Sequence, residues 1–96
     1  MRSSLVFTAE TTKKFAANVR RGDTYSATIQ NLSGQSITIT VTNQNIQSAS
    51  PVFDTPAAGA LVISDGAIGL IAHPYDGWLV TAAASATGTV EITEAG

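Results

Sequence analysis

"TYSATIQNLSGQSITITVT", residues 24 to 42, decides the fold class. Tyr25, Ala27 and Ile29 fall on one side of an extended chain, and Thr24, Ser26, Thr28 and Gln30 on the other. After a break the pattern resumes, with Ile37, Ile39 and Val41 set between Ser36, Thr38, Thr40 and Thr42. Successive side chains of a strand point to opposite faces, so strict alternation rich in β-branched residues marks strands with one face in a core and one in water. The intervening Asn31-Leu32-Ser33-Gly34 reads as a turn that folds the two runs into a hairpin, with Gly34 supplying the permissive backbone.

Working outward, the same grammar recurs. "ALVIS" and "AIGLIA" flank Asp65-Gly66, a two-residue hairpin signal, and "HPYDG" at residues 73–77 is a further turn. "WLVTAA" and "TVEIT" read as a final strand pair around "SATG", and "LVFTA" (Leu5 to Ala9) as an early strand. Thr11 to Arg21 fits either period. A helix spaces Phe15 and Val19 one turn apart, whereas a strand puts Phe15, Ala17 and Val19 on one face. The strand is preferred, because Lys13 and Lys14 sit unfavourably at a helix N-terminus. Residues 43 to 59 read as a crossover loop with Ile46 and Phe53 tucked down. The expectation is an all-β chain: an antiparallel β-sandwich, Ig-like or jelly-roll-like, of about eight short strands. A basic N-terminal strand or arm (1–21) precedes the sandwich body (22–96).

The composition fits one core. Ninety-six residues make one domain, and charged residues are only 12%, about half the usual share. Such a surface is built from hydroxyls, amides and alanine, which are cheaper to desolvate against a partner than charges are. With no cysteine there is no disulfide and no thiolate metal site. The start, "MRSSLVFTAETTKK", lacks the apolar run of a secretory signal or a membrane span, so a protein made without export is expected.

No constellation points to chemistry. His73, the single histidine, precedes Pro74 as loop residues do, with Asp76 nearby, and neither Ser64 nor Ser85 lies in a nucleophile setting. Asp54, Asp65 and Asp76 offer carboxylates, but Asp65 and Asp76 each precede a glycine in turn chemistry. Arg21-Gly22-Asp23 spells an adhesion tripeptide, but three-residue strings arise by chance, and Gly22-Asp23 reads far better as a turn before the strand that follows. Asn31-Leu32-Ser33 matches a glycosylation acceptor and likewise reads as a turn. Trp78 opens an apolar strand, where core or rim packing is the simpler role than sugar stacking. The reading is of a non-enzyme with no cofactor and no metal.

Charge segregation is what remains. Residues 1–21 hold all five cations against Glu10, net +4, while residues 22–96 hold six acids and no cation, net −6. A locally basic, solvated face is the plain reading. Four phosphate contacts on so acidic a chain would make a weak, salt-sensitive nucleic-acid binder, so nucleic acid is not the expected partner. Lys13, Lys14, Arg20 and Arg21 are instead the candidate partner-binding residues, lying against the acidic body of a neighbouring copy or another acidic protein surface.

"GDTYSATIQNLSGQSITITVTNQ" and "PYDGWLVTAAASATGTVEIT" together resemble the small all-β virion structural proteins of tailed bacteriophages, over roughly residues 22 to 94. The likeness lies in short Thr/Ala/Gly-rich strands, Asn-x-Ser-Gly and Tyr-Asp-Gly turns, and a closing Thr-Gly-Thr-Val strand. It implies a capsid decoration (cement) protein that binds the assembled head and stabilises it, or otherwise a tail, collar or fibre component. The expected partner is then the major capsid protein or another virion protein. A homo-oligomer or lattice-bound copies are expected, in a virion assembled in the bacterial host cytoplasm, with no membrane partner. The basic N-terminal stretch is outside the resemblance. A carbohydrate-binding module using Trp78, Tyr75 and the turn carboxylates is the alternative from another class.

Overall fold

A computed structural model describes residues 2–16, 26–42, 52–56, 59–72, 75 and 77–95. It is all-β and antiparallel, with six strands among the described residues: β1 Arg2–Ala16, β2 Ser26–Leu32, β3 Ile37–Thr42, β4 Leu61–Ile63, β5 Ile68–Ile71 and β6 Gly77–Ala95. The strands form one sheet of order β4-β3-β6-β2-β5, with β1 paired to β6.

The sheet is best understood as four long ribbons bent at one level. β6 pairs through its first half with β3 (Thr42↔Gly77 to Ile37↔Ala82) and through its second half with β2 (Leu32↔Thr89 to Ser26↔Ala95). β1 follows β6 along its other side, from Arg2↔Thr93 to Ala16↔Gly77. Outside β3 lies β4, and outside β2 lies β5. Each half is thus a four-stranded layer, β1-β6-β3-β4 or β1-β6-β2-β5, and the two layers share one core. The bend turns a single sheet into a sandwich that approaches a barrel.

This layout corrects the local connections read from the sequence. β2 and β3 are not a hairpin. They run end to end along β6 and do not pair with each other, so Asn31–Gly34 is a corner between layers. Asp65-Gly66 is likewise a corner between β4 and β5, each of which pairs with a different strand. "SATG" is no turn, because β6 continues through it. There β1 advances only from Glu10 to Thr12 while β6 runs from Ala86 to Thr81. Ala83, Ala84 and Ser85 are exposed on the bend, with the Ala83 N–H donating to the Ser36 carbonyl at 2.9 Å. "LVFTA" and the following stretch also merge into one strand, which kinks at Ala9, a bulged residue at φ 63°. These mergers reduce the expected eight strands to six. The extended reading of Thr11 onward is observed as far as Ala16. Tyr25, Ala17, Val19, Ile46 and most of the expected crossover loop lie outside the described residues.

The alternation read in residues 24–42 does set the core. Ala27, Ile29, Ile37, Ile39 and Val41 are buried, with Phe7 and Phe15 from β1 and Trp78, Val80, Val90 and Ile92 from β6, in one cluster. Each buried Ile, Val or Phe contributes about 1.5–3 kcal/mol relative to exposure.

At the corner, Asn31 is fully buried and every polar atom of its amide is used. Its Nδ2 donates to the carbonyls of Gln35 (2.7 Å) and Ile63 (2.9 Å), and its Oδ1 accepts from Ser33 N (3.1 Å) and Ser33 Oγ (2.6 Å). Gly34 N donates to Asp65 Oδ1 at 3.0 Å, tying the two corners together.

Candidate interaction surface

The faces of the two layers that look away from the core are neutral and threonine-rich. Rows run across the strands: Arg2·Thr93·Thr28·Leu70 and Ser4·Glu91·Gln30·Ile68 in one layer, Thr12·Thr81·Thr38·Val62 in the other. The first two rows form a shallow cleft of about 280 Å³. Glu91 accepts from Ser4 Oγ at 2.7 Å. That bond, a second from Thr89 and the charge of Arg2 hold the Glu91 carboxyl below its ordinary value. At the mouth of the sandwich, away from the corners, a mostly apolar cavity of about 200 Å³ is lined by Pro56, Leu61, Leu70, Ile71 and Tyr75 among others.

The candidate cations divide. Lys13 is half-buried and its Nζ lies 3.1 Å from Glu10 Oε2. The Thr8 backbone N–H, then Lys13, then the Thr8 hydroxyl depress the Glu10 carboxyl from its ordinary value. Lys14, next along β1, is exposed on the opposite face. The two lysines therefore share an edge strand but not a face. Arg20 and Arg21 lie outside the described residues, as do Gly22, Asp23, His73 and Asp76.

Other sequence candidates acquire structural roles. Trp78 is fully buried, with its ring 4.8 Å from that of Phe15, so no sugar can stack on it. Among the described residues its Nε1 has no hydrogen-bond partner. Asp65 caps Gly34 at the corner. Asp54 bridges to the edge of β3 beyond β4, exchanging two 2.8 Å backbone bonds with Val41. Among the described residues no group of His, Asp and Glu could hold a metal ion.

The sequence reading missed the edges. Among the described residues β1 pairs on one side only, with β6, while β4 and β5 pair only with β3 and β2. Edges are a property of strand order, which alternation does not encode. The one local signal was apolar residues in the outward positions of "LVISDGAIGLI". Val62, Ile68 and Leu70 are indeed exposed, at 59–64%.

No family model and no curated protein sequence matches this chain. Solved structures match it in fold. A protein of Bacillus endospore appendages, described as a novel family of disulfide-linked pili, aligns over 98% of this chain and 80% of its own length at 17% identity and TM-score 0.56. PirA aligns over 98% and 93% at 13% identity and TM-score 0.59. A 3,4-ketoisomerase from Helicobacter canadensis aligns over 100% and 60% at 10% identity and TM-score 0.51. The shared property is the fold, which is carried here by bearers of quite different names.

Proposed function

We propose that this chain is a non-catalytic structural subunit of a phage virion, a decoration protein that binds the assembled head. The observation that carries the reading is the surface: an all-β body whose outward faces are rows of threonine and glutamine with few charges. Such a face desolvates cheaply against a protein lattice and offers no reactive group. A ligand that binds only the assembled shell stabilises it by mass action. The resemblance to phage virion proteins supports the same reading.

A tail or fibre component is the second reading. It is favoured by the unpaired edges and by the fold shared with a pilus protein of endospore appendages. Disulfide linkage has no counterpart here, since the chain has no cysteine. Sugar binding loses its main ring with Trp78 in the core.

Immunogold labelling of particles, with antibody raised against the purified chain, tests these readings. Dense label over heads supports decoration, and label confined to tails or filaments supports the fibre component. Particles free of label overturn the proposal.

A further inference from the structure

The two sheet edges that have no neighbouring strand among the described residues differ in charge, and the difference points to a partner. β1 carries Arg2, Lys13 and Lys14 against the single carboxylate Glu10. The opposite edge, running from the Asp54 bridge through β4, the corner and β5, carries Asp54 and Asp65. None of its own residues is a cation, because the chain has no Lys or Arg after Arg21. We infer that copies of this chain join head to tail, the β1 edge of one pairing with the β4–β5 edge of the next.

Strand direction allows it. β1, β6, β3 and β4 alternate in direction across one layer, and β1, β6, β2 and β5 across the other. A second copy placed by simple translation across the sheet therefore meets β4 and β5 with an antiparallel β1, the more stable ladder. Both edges change direction between the same rows, at Ala9–Glu10 and at Asp65–Gly66.

Residue levels agree as well. The row Phe15·Trp78·Val41·Asp54 places Asp54 level with Phe15 across the layer. With rows kept in line between copies, Asp54 of one copy lies diagonal to Lys13 of the next on the same sheet face, about 7–8 Å away and within a lysine's reach. Val62 comes beside Thr12, Ile68 beside Ser4 and Leu70 beside Arg2, which covers the exposed apolar side chains of β4 and β5.

The same charges disfavour the symmetric alternatives. Two β1 edges would oppose lysines, and two β4–β5 edges would oppose aspartates. A heterologous contact made by translation does not close, so the product is a linear array. This inference rests on the assembly reading above and names the partner as a second copy.

Sedimentation velocity over a concentration series, at low and high salt, with negative-stain microscopy, tests it. The wild-type chain should elongate with concentration and shorten as salt rises. Lys13→Glu/Lys14→Glu and Asp54→Lys, each checked for an unchanged circular dichroism spectrum, should each raise the concentration for half-assembly about tenfold or more. Mixing the two variants should restore arrays, because alternate contacts then pair a wild-type β1 edge with a wild-type Asp54, and the contacts between them set Lys13→Glu against Asp54→Lys with both charges reversed; a folding defect cannot be rescued in this way. A wild-type monomer or closed dimer at high concentration and low salt overturns the inference. So do variants that assemble as readily as wild type, or a mixture that fails to recover. A monomer that still decorates particles in the immunogold assay removes only the self-pairing and leaves the virion role standing.

Discussion

At the scale of single residues, Asn31 carries the most. It is a buried amide satisfied four times over, and its partners belong to both corners. Asn31→Ala would leave the Gln35 and Ile63 carbonyls without their amide donor and take away the acceptor used by Ser33. Each buried polar group left unpaired costs about 1–3 kcal/mol. The expected loss is therefore about 2–4 kcal/mol of unfolding free energy, read from the midpoint of a urea titration. Asn31→Asp should do no better at neutral pH, since a carboxylate would face those two carbonyls in place of a donor. The string Asn-Leu-Ser looked like a turn, and its residues do serve one. What the string could not reveal is that the turn's amide reaches Ile63, which only the fold brings near.

At the scale of elements, the decisive feature is how β1 and β6 pass the bend. β1 does so with a bulge, in which Ala9 takes φ 63°. That region costs a residue bearing Cβ about 1–2 kcal/mol, and more when the side chain is β-branched. Ala9→Val should lower stability by about 1–2 kcal/mol and Ala9→Gly should be near neutral, as thermal melts of the two variants would report. β6 passes the bend through Ala83, Ala84 and Ser85, and Gly88 beyond them lies so close to the Leu32 carbonyl that a Cβ there would collide with it. Alternation located the strands on either side of these features with fair accuracy. It broke β6 at "SATG" because small residues beside a glycine have the composition of a turn. Whether they end a strand or bend it depends on a neighbouring strand that spans both sides, as β1 does.

At the scale of the whole molecule, charge segregation sets both acid stability and association. Glu10 and Glu91 are depressed from their ordinary value of 4.5, chiefly by hydrogen bonds from Thr8 and Ser4. A depressed folded-state pKa means that the native protein binds fewer protons there than the unfolded chain does, so stability rises with pH through that range. Their contribution is present above 4.5 and is lost as the pH falls through the folded-state values. Melting temperature should therefore decline on acidification below 4.5, and Glu10→Gln/Glu91→Gln should make that decline shallower. Both pairs also tie β1 to itself or to β6, so part of the basic segment is already matched within the molecule. In the proposed array Lys13 is shared between Glu10 of its own strand and Asp54 of the next copy.

The residue pattern by itself determined that this protein is all-β, which residues of residues 24–42 face inward, and that its cations are confined to one end. Those properties follow from side-chain alternation and composition, which are local. Tertiary structure alone decided that the apparent hairpins are corners, that β6 is one bent strand, and that Trp78 is core. It also decided that Arg2, Lys13 and Lys14 lie at one edge of the sheet with Asp54 at the other. The physical reason is that a turn signal specifies where the chain changes direction but not which strand supplies the next hydrogen bonds. That choice is made by burying both layers against one core, and it is what turns a one-dimensional charge asymmetry into two opposite edges.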